Sequence, residues 1–258
     1  MDPLPFIRYP PPDIRHFRPP PNMPPPPPPF HLRQSSNSHV DYINLRKNLE
    51  SQKNSTRINL NDNYMRDEGC KILSDFLQSN PQISQLELKG NNITSKGLLC
   101  ILDSLKQNFK LKSLNLEWNS IGLDPSGLEA LGTFLAHNSS LNHLDLRNNR
   151  ITTNDANLVA NMIKGSKSLV SFDLRWNELG NLGAKAILAA AKENNILQVL
   201  ELSGNNVSEE LLRELQNLLE KNRQKYPFLN QSMNERENMP GADKMVFKKK
   251  KSNNILRF

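Results

Sequence analysis

The chain has 258 residues, of which 36% are hydrophobic and 23% charged, and its formal net charge is +7. This length allows one to two domains, and no stretch approaches the roughly 20 apolar residues of a membrane-spanning helix. Because the basic excess falls largely at the two ends, it does not indicate nucleic-acid binding by the folded middle. We therefore expect neither a membrane nor a nucleic acid as a partner.

The first 40 residues are proline-rich, since 14 of the 18 prolines fall in the first 30 positions. The run Pro19–Phe30 cannot form a helix or an internal strand, because proline lacks a backbone donor and has a fixed φ. Residues 1–40 are predicted to be a disordered segment with polyproline II character. The run is either a spacer or a ligand for a proline-recognising module, with Arg18 and Arg33 as flanking charges.

From about Thr56 onward the chain repeats one unit, L-x-x-L-x-L-x-x-N. Its anchor leucine recurs at steps of 28, 28, 30, 28 and 28 residues, and asparagine stands three positions after every anchor. This period predicts an α/β leucine-rich-repeat solenoid of the ribonuclease-inhibitor-like βα horseshoe type, with about six repeats of 28 residues. The anchors are Leu60, Leu88, Leu116, Leu146, Leu174 and Leu202, and the asparagines are Asn63, Asn91, Asn119, Asn149, Asn177 and Asn205.

Each part of the unit has a physical reason. The alternating leucines predict a short strand with its apolar side inward, paired in parallel with its neighbours. The asparagine is expected to turn inward, where its amide can satisfy backbone groups that the turn leaves unpaired. The remaining residues show apolar positions at helical spacing, and the longer third step arises because Leu123–Gly127 lengthens one turn.

The repeats define three segments of the chain. Residues 41–222 are predicted to be the repeat domain, opening with a short helix at 41–55 that covers the first repeat. Residues 223–258 are predicted to be the remnant of a C-terminal cap and a disordered basic tail. The run Lys248–Lys251 in that tail is either a nuclear import signal, an acidic-surface contact or a solvated end.

The two cysteines, Cys70 and Cys100, occupy similar positions in consecutive predicted helices. They are predicted to be buried structural thiols, because no cluster of His and Cys accompanies them. The N-terminus lacks the apolar run of a signal peptide, so we expect a reducing, cytoplasmic setting, with the nucleus left open by the tail. No cofactor or metal is expected.

Strand alternation also predicts which side chains line the concave face. An acidic column lies beside a mostly basic one, so lateral ion pairs such as Asp145 with Arg147 and Asp173 with Arg175 are expected. Exposed pairs contribute only roughly 0–1 kcal/mol each, and their expected use is the selection of a protein partner by charge pattern. The candidate partner-binding residues of this face are Glu87, Lys89, Glu117, His143, Asp145, Arg147, Asp173, Arg175 and Glu201.

Trp118 and Trp176, which are the two tryptophans of the chain, occupy the same slot two repeats apart. They are either hot spots of an interface or side chains packed along the turns, with a cation–π contact to arginine. The sequence shows no Ser-His-Asp order, phosphate-binding glycine loop or metal-ligand spacing, and His143 beside Asp145 is interpreted as a surface pair. We therefore predict a protein that is not an enzyme.

Four successive phrases are more specific than a generic repeat: LELKGNNIT, LEWNSIG, LDLRNNRIT and FDLRWNELG. Over about residues 56–222 this succession resembles the repeat domain of the centrosome-linker family of leucine-rich-repeat proteins. The resemblance implies a non-catalytic scaffold that binds a protein partner and acts in centrosome cohesion or at the basal body. Two alternatives stay open: an activator of a small GTPase acting through Arg147 or Arg175, and a cytoskeletal adaptor that works through its polyproline run.

Overall fold

The computed structural model describes residues 38–225, in which short strands alternate with helices. The strands form one parallel sheet in the order β1-β2-β3-β4-β5-β6. They are β1 (Arg57–Asn59), β2 (Gln85–Glu87), β3 (Ser113–Asn115), β4 (His143–Asp145), β5 (Ser171–Asp173) and β6 (Val199–Glu201). The helices are α1 (Ser38–Ser51), α2 (Arg66–Gln78), α3 (Ser95–Leu105), α4 (Pro125–His137), α5 (Ala156–Gly165), α6 (Gly180–Glu193) and α7 (Glu209–Lys225).

The boundaries of the folded part differ slightly from those predicted. Helix α1 begins at Ser38 rather than at 41, and α7 runs to Lys225 rather than ending at 222. The predictions made for residues 1–37 and 226–258, including disorder and the functions of the proline run and the basic tail, lie outside the described residues and stay predictions.

The strands pair in one register, in which each residue faces its equivalent in the next repeat. Ile58 is opposite Leu86, for example, and Leu144 is opposite Phe172. These middle residues of the strands are buried, and they join the anchor leucines and the inner helix faces in one continuous core. The predicted solenoid of alternating strands and helices is therefore confirmed.

The spacing of its two layers determines how the solenoid curves. Parallel strands lie about 4.8 Å apart, whereas packed helices need about 8–10 Å, so the sheet forms the inner side.

Glycines bring some helices closer together. A Cβ atom on Gly127 would lie 2.5 Å from Oγ and 3.0 Å from Cα of Ser95 in the preceding helix.

The repeated asparagines form the predicted ladder. Asn119 Oδ1 accepts hydrogen bonds from the backbone N–H groups of Asn91 at 3.2 Å and Ile93 at 2.9 Å, both in the preceding repeat. Its Nδ2 donates to the carbonyl oxygens of Leu88 at 3.0 Å and Leu116 at 2.9 Å. One buried amide thus joins two repeats, and Asn91, Asn149, Asn177 and Asn205 make similar bonds.

A second asparagine ladder, which sequence reasoning missed, runs along the opposite edge of the sheet, where the helices end. Asn194 Nδ2 donates to the carbonyl of Ile163 at 2.6 Å, and its Oδ1 accepts from the N–H of Leu197 at 2.9 Å. Asn108, Asn138 and Asn222 also donate to carbonyls of the preceding repeat. The repeats that contain these asparagines are thereby tied to their neighbours at both edges.

Side chains that precede β1 form hydrogen bonds with its backbone, which has no neighbouring strand on that side among the described residues. Gln52 accepts from the backbone N–H of Asn59 at 2.7 Å and donates to its carbonyl at 3.1 Å. Ser55 makes the same two kinds of bond to Arg57, at 3.1 and 2.7 Å. The predicted N-terminal cap thus provides hydrogen-bond partners for the backbone groups on the outer edge of β1.

The two cysteines differ in burial, which corrects one prediction. Cys70 is buried, and burial raises the pKa of its thiol, with Asp67 adding to the shift. Cys100 is only half-buried. Both thiols are free.

Candidate functional site: the open face of the sheet

The outward side chains of the strands form a continuous surface, here called the sheet face. At its centre, Arg147 contacts three carboxylates from three neighbouring strands and turns. Its Nη2 lies 2.8 Å from Glu117 Oε2 and 2.7 Å from Asp145 Oδ2, and its Nε lies 3.5 Å from Asp173 Oδ2. Without this arginine, the two facing aspartates of β4 and β5 would repel each other.

The contacts extend on both sides of Arg147. Lys89 Nζ lies 3.2 Å from Glu117 Oε2, and Arg175 Nη2 lies 2.6 Å from Asp173 Oδ2. Lys89, Glu117, Asp145, Arg147, Asp173 and Arg175 are called the charge network below. Three of its members are positive and three negative, so the network is neutral as a unit.

Glu117 is the most enclosed member of the network. The residue is 1% exposed, and its second oxygen, Oε1, is buried without a hydrogen-bond partner among the described residues. Burial raises the pKa of Glu117 above its ordinary value, although Arg147 and Lys89 act to lower it. A buried carboxylate with one unpaired oxygen has a desolvation cost that its two cations only partly offset.

Burial dominates at two further carboxyls of the face. It raises the pKa of Asp173, against the hydrogen bond from Arg175 that lowers it, and Asp145 adds to the rise. Burial likewise raises the pKa of Glu201, and Asp173 adds to that rise. Burial acts in the opposite direction on Arg147, but hydrogen bonding and attraction to the carboxylates outweigh it and raise its pKa overall.

The predicted ion pairs are present, but the prediction that they are exposed is wrong. The side chains of Arg147 and Asp145 are 17% and 20% exposed, and that of Glu117 is 2% exposed. Glu87 and His143 are buried as well. The reason is the strand spacing, because long side chains standing about 4.8 Å apart cover one another.

The structure joins most of the predicted residues of the face, but not all in one network. Glu87 forms a separate cluster, accepting from Asn115 Nδ2 at 2.9 Å and lying 3.7 Å from Arg57 Nη2. His143 and Glu201 stand on the same face in β4 and β6. Among the described residues, no group of three or more His, Cys, Asp and Glu side chains is arranged to hold a metal ion.

The turn beside the sheet face carries a second group of predicted residues, here called the tryptophan row. It consists of the residues two positions after each anchor, and all six have positive φ, between 52° and 77°. Glycine, asparagine and aspartate suit this conformation, whereas a bulky side chain there is strained. Trp118 and Trp176 adopt this conformation nonetheless, with φ angles of 54° and 55°. The row is Asp62, Gly90, Trp118, Asn148, Trp176 and Gly204.

Both tryptophans are half-buried. The Arg175 guanidinium carbon lies 5.2 Å from the ring centroid of Trp176, within the range of a cation–π contact. The indole also lies against the next repeat, where a Cβ atom on Gly204 would be 2.9 Å from its Nε1. The packing alternative is thus realised at Trp176. Asn148, between the two indoles, has a buried Nδ2 with no partner among the described residues.

Comparison with known protein families identifies the repeats. A family model described as "Leucine Rich repeat" matches residues 79–102, 107–132, 137–158 and 165–188, and a second, "Leucine Rich Repeat", matches 197–218. The matched segments are thus similar to leucine-rich repeats. The five matched segments contain β2 to β6, one strand each, while the segment with β1 is unmatched, so the count of about six repeats stays a prediction.

The predicted family resemblance is confirmed over part of the chain. Leucine-rich repeat-containing protein 45 of Gallus gallus is 34% identical over 89 residues, which are 34% of this chain. The match covers 13% of the length of that relative, so the chain corresponds to a small part of it.

Two solved structures match this chain with TM-scores below 0.5. One is titled "Leiomodin-1 Actin-Binding Site 2 (ABS2)", with 19% identity, a TM-score of 0.45, and coverage of 79% of this chain and 99% of that one. The other is the tropomodulin C-terminal domain of Caenorhabditis elegans, with 15% identity, a TM-score of 0.46, and coverage of 76% and 99%. Identities this low carry no information about partners.

No helix among the described residues is long and apolar enough to cross a membrane.

Proposed function

We propose that this protein is a non-catalytic scaffold that binds a protein partner on the sheet face. The observation that carries the proposal is the charge network, in which Arg147 fixes Glu117, Asp145 and Asp173 in one geometry. Side chains held in this way lose little conformational freedom when a partner docks, which lowers the entropic cost of binding.

The state of the charges suggests how such a partner is recognised. Because the network is neutral as a unit, it offers a patterned array of hydrogen-bonding groups rather than a field of one sign. A partner that places donors and acceptors in the complementary order is accepted, and a mismatch leaves desolvated charges unpaired. The face thus favours specificity over attraction at long range.

The same geometry argues against catalysis. Each carboxylate of the network is paired with a cation, so none of them is free to act as a general acid or base. Arg147 and Arg175, which the GTPase-activator alternative requires, are both engaged by carboxylates. The arrangement therefore favours the scaffold over a regulator that inserts an arginine into another active site.

We also propose that this scaffold acts at the centrosome or basal body, within the cytoplasm, as the resemblance of the repeat phrases to the centrosome-linker family implies. Imaging of the tagged full chain with a centriole marker tests this location. A diffuse cytoplasmic or purely nuclear signal would contradict it.

A matched pair of substitutions tests the sheet face. Ser171 is half-buried in β5 on this face, whereas Ala189 is exposed on helix α6, on the other side of the solenoid. Ser171→Arg and Ala189→Arg add the same side chain at the two places. Proximity labelling in cells, with both variants and the unmodified chain, should show partners that are lost at least tenfold only with Ser171→Arg. Equal partner sets for both variants would remove the proposal.

A further inference from the structure

The strained tryptophans indicate a second binding site, which lies beside the sheet face. Four of the six positions in the tryptophan row hold Gly, Asn or Asp, the residues that suit a positive φ. Trp118 and Trp176 keep the same backbone at a conformational cost. Strain of this kind persists at sites where the side chain has a use.

The spacing of the two indoles matches a specific ligand geometry. Trp118 follows β3 and Trp176 follows β5, so the two are separated by two strand spacings, about 9.6 Å. In a polyproline II helix, residues three positions apart are separated by about 9.3 Å along the axis. Two prolines at positions i and i+3 can therefore each contact one indole.

The hydrogen-bonding groups fit the same ligand. A polyproline segment has carbonyl oxygens with no internal partners, and indole N–H groups are donors without acceptor capacity. Between the indoles, the Nδ2 of Asn148 is a further donor that lacks a partner among the described residues. A small shift of either indole ring would let the Asn148 amide donate a hydrogen bond to a carbonyl oxygen of the ligand.

This chain itself contains such a segment. Pro24–Pro29 is a run of six prolines, and Arg18 and Arg33 stand on either side of it. Asp62, at the first position of the row, and Glu178, two positions after Trp176, are exposed acidic residues that can face such basic flanks. A proline run with basic flanks is the ligand that this site fits.

The described part of the chain begins at the edge of the sheet that carries the tryptophan row. The helices return antiparallel to the strands, so α1 begins at the edge where the strands end, which is also the edge of the tryptophan row. In all, 37 residues precede Ser38, and the nine steps from Pro29 to Ser38 span up to about 30 Å. Two copies that meet at this edge can each reach the other.

We propose that the tryptophan row binds the segment Pro19–Phe30 of a second copy of this chain, so that two copies exchange these segments. The exchange is two-fold symmetric, and each copy gives one segment and receives one. The second contact forms intramolecularly once the first is made, which strengthens the dimer. The test of this inference is the oligomeric state of the chain, which is a separate readout from the partners of the proposed function.

The two tryptophans provide the test, because the chain has no others. Trp118→Asn with Trp176→Asn removes both indoles and uses a residue that already occupies this conformation at Asn148. Replacing Pro24–Pro29 by serine removes the ligand. Sedimentation equilibrium of the full chain should show a concentration-dependent dimer, and either variant alone should associate at least tenfold more weakly. Phe109→Asn, at an aromatic residue that is 64% exposed near the opposite edge, should leave the dimer unchanged.

Mixing the two variants gives the sharpest readout. The chain without tryptophan still carries its proline run, and the chain without the run still carries both indoles. Adding the first to the second should change tryptophan emission in a saturable way. No change, or a double tryptophan variant that still dimerises, would overturn the proposal. A wild-type chain that stays monomeric at all concentrations would overturn it too, even if its emission differs from that of the serine variant.

Discussion

Arg147 Nη2 lies 2.8 Å from Glu117 Oε2, although the two residues are 30 positions apart and Glu117 is almost fully enclosed. Removing one partner of a buried pair leaves the other charge uncompensated. We expect Arg147→Met to lower the free energy of unfolding by about 2–4 kcal/mol. This loss is smaller than for a fully buried pair, because the arginine side chain is partly exposed. Urea denaturation measures this loss. Lys106→Met, in an exposed pair with Asp103, should change stability by less than about 1 kcal/mol.

The raised pKa of Glu117 predicts the pH dependence of one variant relative to the wild type. Since the folded pKa lies above the unfolded one, the folded state binds more protons between the two values. The cost of the charged carboxylate is therefore absent below the unfolded pKa and fully present above the folded pKa. Glu117→Gln mimics the protonated form, so its stability relative to wild type should increase as pH rises from about 4.5 towards 7. Paired urea titrations at several pH values measure the difference, and a flat or opposite trend would contradict the assignment.

The asparagine ladder predicts a cost that depends on position. Asn119→Ala leaves the N–H groups of Asn91 and Ile93 without their acceptor inside the protein, so we expect a loss of about 2–3 kcal/mol. Asn63 stands at the half-buried start of the ladder, where its amide bonds to Asn48 and Asn61. Asn63→Ala should cost less than about 1 kcal/mol, because water can replace these bonds. Similar losses for both would show that the ladder does not join the repeats.

The left-handed backbone at Trp118 predicts a ranking of substitutions. Asn accepts positive φ, whereas a β-branched residue clashes there. Trp118→Asn should therefore be more stable than Trp118→Val by about 1–2 kcal/mol, although valine is the more apolar residue. Thermal unfolding of the two purified variants decides the order. A more stable valine variant would show that the backbone changes conformation when the indole is removed.

Two glycines of helix α4 provide a test of helix packing. A Cβ atom on Gly127 would lie within 3.0 Å of backbone in the preceding helix, whereas one on Gly132 would meet Met162 Cγ at 3.5 Å, an ordinary contact. Gly127→Ala should cost about 1–3 kcal/mol by overpacking. Gly132→Ala should raise stability by about 0.5–1 kcal/mol, because alanine is the better helix former. Changes of the same sign in both would contradict the close approach of α3 and α4.

Features that recur in the sequence could be predicted, because the same residue type at the same position of each repeat makes the same contact. The anchor leucines predicted the strands, and asparagines such as Asn119 predicted the ladder. The second ladder was missed because residues such as Asn194 stand among ordinary polar residues at helix ends, although their spacing from the next strand is constant.

Features that depend on neighbouring repeats were harder to predict. The burial of Glu117 and His143 results from the length of the side chains on either side, which a single strand does not reveal. The strain at Trp118 is a backbone property, but the glycines, asparagine and aspartate that fill the same slot elsewhere were a signal that could have predicted it.

The one longer repeat shows where this fold accepts change. An asparagine or serine that follows each of the helices α2 to α6 stands five positions before the next strand, as Asn80 does before Gln85 and Asn138 before His143. The two extra residues of the third step lie between Asn119 and Gly127, next to a short 3₁₀ helix at Ile121–Leu123. An insertion in this turn shifts no strand register. The length of the turns can therefore change over evolution, or by design, while the residues of the sheet face keep their places.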